Sequence, residues 1–211
     1  MKQKQYFNNP LLARLAQTNP VVAISLYYTV SLCIIVYGIY ILSWKLLGGV
    51  QSMLVFIGGV LTYTLVEYAM HRFVYHSGED YKNEGSWQYK VHGVHHALPQ
   101  EKELIALPIP LAVMIALLFS MIFSLLLGRQ VYFFFSGFLA GYATYLYVHF
   151  LVHTRRPPKN VFKYLWRHHL IHHYSDDDKA FGVSSPLWDI IFGTMPQDAS
   201  VYRNKRFSKD H

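Results

Sequence analysis

Ten of the chain's 12 histidines fall in four short runs. They read HxxxxH at His71 and His76, HxxHH at His92, His95 and His96, HxxxH at His149 and His153, and HxxHH at His169, His172 and His173. The step from His76 to His92 is 16 residues, and so is the step from His153 to His169. Each half of the chain thus carries a histidine pair, the same step and a histidine triplet. Neutral imidazole is the commonest protein metal ligand, and these spacings suit helices that aim several rings at one place. At 3.6 residues per turn, i and i+4 lie about 40° apart, so His149 and His153 can converge. In HxxHH the last two rings flank the first by about 60° and 40°, so one triplet can serve two neighbouring metals. His71 and His76 are about 140° apart on an ideal helix, which suggests different metals or a frayed helix end. Ten imidazoles divide into about five per metal, leaving each metal the open position that catalysis requires.

A lone histidine is more often a packed or surface residue than a ligand. Ten in four helical spacings are read as a metal site. His168 stands outside the repeated pattern and is expected to sit behind the ligands or on the surface. His211, at the chain end, is expected to be disordered. Three other residues stand where they could support the site. Glu67 lies one turn before His71, near membrane depth; it either orients a ligating imidazole or is solvated at the interface. Tyr145 lies one turn before His149 and either lines an oxygen pocket or packs in a helix bundle. Asp189 either holds a histidine N–H or caps a turn. Trp87, Trp166 and Trp188 fit an aromatic belt at one membrane boundary, Trp188 alternatively forming a pocket wall, and "DDDK" at 176–179 reads as a solvated loop.

The elements that must position these rings are membrane spans. The 211 residues are 53% hydrophobic and 15% charged, against about 25% charged in soluble domains. Four apolar stretches approach the spanning length of about 20 residues: 21–42; 50–66, continuing into "EYAMHRFVYH"; 110–127; and 131 to about 150. Pro108 and Pro110 suit a helix start, and "GRQ" at 128–130 implies a tight antiparallel pair. The first stretch is too long for a signal peptide and lacks a small-residue cleavage site, so it is read as a retained span. With a cytoplasmic N-terminus, only Lys45 and Arg129 of the 19 basic residues fall in far-side loops. That distribution puts both termini and all four histidine runs on the cytoplasmic side. The formal charge of +7 is then a topology signal, with some attraction to anionic membrane lipids. No basic groove motif or zinc-finger spacing accompanies it, so nucleic-acid binding is excluded. Cys33 is the only cysteine; it rules out an intramolecular disulfide and reads as a small packing residue. The expected fold is an all-α integral membrane protein, with four transmembrane helices and a cytoplasmic helical cap holding a histidine-rich dimetal site. It is expected to form one domain over residues 1–211.

With "HRFVYH", "VHGVHHALPQEKELIALPIP" and "FGVSSPLWDIIFGT", the histidine runs resemble the fatty acid hydroxylase/sterol desaturase superfamily over about residues 60–196. The last two segments look most like its fatty acid 2-hydroxylase branch. The resemblance implies O2-dependent hydroxylation of a lipid acyl chain at two iron ions, one oxygen atom entering the product and the other leaving as water. Imidazole binds zinc as well as iron, so a purified sample could carry zinc. Many sphingolipid 2-hydroxylases of this branch have Tyr-Asp where this chain has Tyr145-Leu146, which makes a fatty acyl group in general the expected substrate. The chain has no room for the haem domain often fused in that branch, so the expected reductant is external, a ferredoxin or a small haem cytochrome. A bacterial inner membrane is expected in preference to the endoplasmic reticulum. Carotenoid ring hydroxylases and sterol-type oxidases share parts of the pattern and form the runner-up. A metal transporter or storage protein is disfavoured, because the spans are nearly free of charge and the ligands gather at one end. HExxH, the zinc-protease motif, is absent.

Overall fold

The computed structural model describes residues 17–42, 48–78 and 80–196. Lys45, His211 and both chain ends, on which part of the charge argument rests, lie outside the described residues. Among the described residues every regular element is helical. Among the described residues three stretches are long and apolar enough to cross a membrane: Pro20–Ile41, Gly49–Tyr75 and Lys102–Thr154. The chain gathers into two compact units, Met1–Tyr63 with Glu103–Tyr147, and Thr64–Lys102 with Val148–His211.

The first unit holds helix α1 (Pro20–Leu42), most of α2 (Gly49–Ala69), α4 (Ile109–Leu127) and most of α5 (Val131–Thr154). Sequence signals explain the helix starts. The Asn19 side chain accepts the Val21 and Val22 N–H groups at 3.0 and 3.3 Å, and Pro20 occupies the first helical position, where no N–H is needed. Pro108 is the N-cap of α4 and Pro110 its second residue, where again no N–H is needed. The single 3-10 turn Gly128–Gln130 joins α4 to α5, and Phe119, Phe123, Phe134 and Phe138 interlock across the pair.

Helix α5 also packs on α1 and α2. The Ser31 hydroxyl donates to the Ser136 carbonyl at 2.8 Å. On α2 the backbones nearly touch: a Cβ on Gly59 would lie 1.9 Å from the Phe134 carbonyl oxygen, and one on Gly137 would lie 2.0 Å from that of Phe56. Such approach through small residues is how helices associate where lipid leaves no hydrophobic drive between them. The outward faces are apolar: Leu117 is 66% exposed and Leu125 82%, as a lipid-facing helix requires. Cys33 is exposed on α1, so it is not the packing residue expected, because it faces away from the helices that α1 touches.

The second unit is built differently. The chain of α2 continues as a π-helix over Met70–Tyr75. A second π-helix, Tyr89–Gly93, runs into the short helix α3 (Val94–Ala97). The C-terminal end of α5, helix α6 (Lys163–Tyr174) and the short α7 (Leu187–Ile191) complete it. Val152, Trp166 and Leu170 form a small apolar core. Trp166 is buried there with its indole N–H on the Arg155 carbonyl at 3.0 Å, so it supports the α5–α6 junction instead of joining an aromatic belt. The exposed Trp87 remains available for one.

Candidate metal centre

All ten patterned histidines lie in the second unit, where they gather as two groups of five. His71, His76, His92, His96 and His172 form one group; His95, His149, His153, His169 and His173 form the other, with the ligand atoms of each group within 4.8 Å of one another. Each triplet divides between the groups, as helix geometry predicts. His92 and His96 face one while His95 faces the other, and His172 parts in the same way from His169 and His173. His71 and His76 do not serve different groups. The π-helical turn closes a His76 N–H to His71 carbonyl bond of 3.1 Å, and widening the turn brings residues five apart onto one face.

In the first group the Nε2 atoms of His71, His76 and His96 each stand 3.0–3.1 Å from that of His92, and His172 Nε2 is 3.2 Å from that of His76. In the second, His95 Nε2 lies 2.9 Å from that of His149 and 3.1 Å from that of His153, and His169 Nε2 lies 2.9 and 3.0 Å from those of His153 and His173. An imidazole nitrogen carries at most one hydrogen, so hydrogen bonds alone cannot satisfy so many converging nitrogens. A shared cation can: metal–imidazole bonds of about 2.0–2.1 Å place neighbouring nitrogens of one coordination shell about 2.9–3.4 Å apart. The donor set therefore fits a metal in each group.

Two protonation states are fixed by the fold. The His71 Nδ1 is 2.6 Å from the Phe181 carbonyl oxygen, and the His172 Nδ1 is 2.7 Å from that of Lys179. A carbonyl can only accept, so both Nδ1 atoms carry the proton and both Nε2 atoms offer a lone pair inward. Burial pushes His76, His92, His95, His96, His169, His172 and His173 below the usual histidine range, and neighbouring imidazoles push the same way. These rings are neutral at pH 7, the state that binds metal.

The supporting residues are less direct than expected. Glu67 is buried and its hydrogen bonds go to backbone and hydroxyl instead of to an imidazole: its carboxylate accepts the Val183 and Ser184 N–H groups at 2.7 and 2.9 Å and the Ser184 hydroxyl. Asp189 does hold a histidine, and that histidine is His168, with Nε2 at 3.0 Å from the carboxylate. Both are fully buried. The other donors to Asp189 are the Phe181 and Gly182 N–H groups and the Thr194 hydroxyl. Burial raises the Asp189 carboxyl, but the bonds from His168, Thr194 and Gly182 outweigh it and hold it below the usual carboxylate range. Tyr145 lies in the first unit, in an aromatic cluster with Tyr63 and Tyr142. The Trp188 indole N–H donates to Thr64 at 2.9 Å.

Sequence reasoning missed Tyr81, whose ring lies 4.2 Å from that of His76 and whose hydroxyl donates to Asp177. Asp177 also pairs with Lys82 at 3.1 Å, so "DDDK" is in part anchored. The carbonyls of Lys179 and Phe181 were missed as well, because a backbone acceptor leaves no mark in residue type.

The family model for fatty acid hydroxylases matches residues 56–194. The chain belongs to the fatty acid hydroxylase family. It is 34% identical over 169 residues to the dihydroceramide fatty acyl 2-hydroxylase FAH2 of Arabidopsis thaliana, covering 80% of this chain and 71% of that one. It is 38% identical over 143 residues to the ceramide very long chain fatty acid hydroxylase scs7 of Schizosaccharomyces pombe, covering 66% of this chain but only 41% of that one. A solved structure of full-length scs7p, with only its hydroxylase domain visible, superposes with a TM-score of 0.78 at 29% identity, over 92% of this chain and 72% of that one. These relatives, with similar proteins from rat, mouse and human, are eukaryotic, which gives the expected bacterial inner membrane no support.

Proposed function

We propose that this chain is a membrane-bound hydroxylase that inserts one atom of O2 at C2 of a lipid acyl chain, using two metal ions and electrons from a separate donor. The observation that carries the reading is the pair of five-histidine groups in one compact unit of a fatty acid hydroxylase family member. Family relatives bear the names of ceramide and fatty acid 2-hydroxylases. The ten histidines are the ligands, and two iron ions are the native metals, with zinc able to occupy the same nitrogens. Bound iron supplies activation of O2 and the electron transfer that C–H hydroxylation demands; the substrate carbon gains a hydroxyl, and two electrons and two protons convert the second oxygen atom to water.

The chain's own residues keep the imidazoles neutral and aimed. Burial excludes water from ligands such as His169 and His172, which protects a reactive site from side reactions. In this reading the third membrane-capable stretch, Lys102–Thr154, makes two spans around Gly128–Gln130, for four in all. The excess of basic residues puts the metal centre on the cytoplasmic side. The whole chain acts as one functional domain, and a ferredoxin or small haem cytochrome delivers the electrons.

Lipid mass spectrometry of cells with and without the chain, supplied with acyl lipids and β-carotene, tests the reading. The expected result is an acyl lipid that gains one oxygen atom at C2. Hydroxylated carotenoid with no hydroxyacyl product overturns it.

A further inference from the structure

Two buried carboxylates converge on one short segment of the second unit. The four successive backbone N–H groups of Phe181, Gly182, Val183 and Ser184 donate in turn to Asp189, Asp189, Glu67 and Glu67, at 2.9, 2.8, 2.7 and 2.9 Å. The same segment's carbonyls, at Lys179 and Phe181, accept the Nδ1–H groups of His172 and His71. Between those two carbonyls sits Ala180, fully buried, with a left-handed φ of 59° and its N–H on the Thr194 carbonyl at 2.9 Å. A non-glycine residue holds that conformation only where its surroundings over-determine it. Gly182 leaves no slack either, since a Cβ there would lie 2.1 Å from the Ser185 carbonyl oxygen. Asp189 is itself anchored by His168 and by a relay from Arg72 through the Tyr68 and Thr194 hydroxyls. Residues 179–184 thus form a backbone splint, clamped on its N–H side and pressed against imidazoles on its carbonyl side.

Both splinted imidazoles belong to the same group of five. In the other group, the Nδ1 atoms of His95, His169 and His173 are buried and have no hydrogen-bond partner among the described residues, which in the splinted group is also true of His76 Nδ1. From this asymmetry we infer that the two metal positions are inequivalent: Glu67 and Asp189 are positioning residues that act through the 179–184 splint on the His71/His76/His92/His96/His172 position alone. Partners behind a ligating histidine fix its tautomer and ring orientation and raise its basicity, and losing them costs about 10- to 100-fold in metal affinity. The inference rests on the proposal that each group holds a metal.

The test measures metal per chain by elemental mass spectrometry during timed exposure to EDTA, on the full chain in detergent. Wild type is compared with Asp189→Asn, which turns an amide N–H toward the Phe181 or the Gly182 N–H, and with Glu67→Met, which removes the acceptor of the Val183 and Ser184 N–H groups. The expected result is two metals per wild-type chain. In Asp189→Asn one of them should leave about 10- to 100-fold faster while the other leaves at its wild-type rate. If Asp189→Asn yields no folded protein, Glu67→Met is judged by the same criterion. Variants that release both metals in step, or both at wild-type rates, overturn this inference and leave the dimetal reading standing. A wild-type chain that holds no metal overturns both.

Discussion

The two units of this molecule are stabilised by opposite means. In the first, Gly59 and Gly137 let backbones meet and phenylalanines interlock, while leucines such as Leu125 face outward. In the second, the most buried side chains include His95, His149, His168, His169, His172 and Asp189. Apolar packing spreads its energy over many small contacts. A buried polar network concentrates it, because each unpaired atom retains its full desolvation penalty. The first unit should therefore degrade gradually when changed, unless a backbone contact is blocked, and the second should fail atom by atom.

The largest effect should come from the ligands. His95→Ala or His173→Ala is expected to abolish turnover and lower metal content in the purified protein; His95→Ala with full metal and full turnover would remove the ligand assignment. Next comes acidification of the metal-free chain. Its buried imidazoles sit below the usual histidine range, while the unfolded chain takes up protons near pH 6.5. Stability is thus present above about pH 6.5 and lost as pH falls below it, by roughly 1.4 kcal/mol per pH unit for each histidine that stays neutral in the fold. Thermal unfolding of chelator-treated protein between pH 5 and pH 8 reads this slope, and a flat profile would mean that the rings are not desolvated.

Gly137→Leu is the exception within the first unit. It drives a side chain into the Phe56 carbonyl and should cost about 3 kcal/mol, visible as a lower unfolding temperature. His168→Ala strips a donor from buried Asp189 and should cost about 1–3 kcal/mol, while turnover falls less than in His95→Ala. At the small end, Leu125→Ala removes a side chain that touches little of the protein and should shift stability by no more than about 0.5 kcal/mol. A large loss there would mean that this face packs against protein in the membrane.

Residue type and spacing were sufficient for much of this. The HxxHH spacing sends its flanking imidazoles to either side of the first, and His92, His95 and His96 divide between the groups accordingly. Pro20 and Pro110 mark helix starts because a residue without an N–H suits the first turn. The spans are legible because a bilayer demands long apolar helices and little else. These are local properties, set by each residue's neighbours in the chain.

Other features depended on contacts far apart in sequence. His71 and His76 join one group only because Met70–Tyr75 winds as a π-helix, a choice that the ideal-helix angle of about 140° argues against. Glu67 was legible as a working carboxylate, but its partners, Val183 and Ser184, lie more than a hundred residues away. The carbonyls that fix the His71 and His172 protons belong to Phe181 and Lys179, and any residue type could have supplied them. The sequence by itself determined which side chains could bind metal and which helices could sit in lipid, since both follow from side-chain chemistry and local period. Only the tertiary structure decided how the pairs and triplets combine into two groups and which protons their imidazoles keep, because long-range packing and backbone hydrogen bonds carry no signature in residue identity.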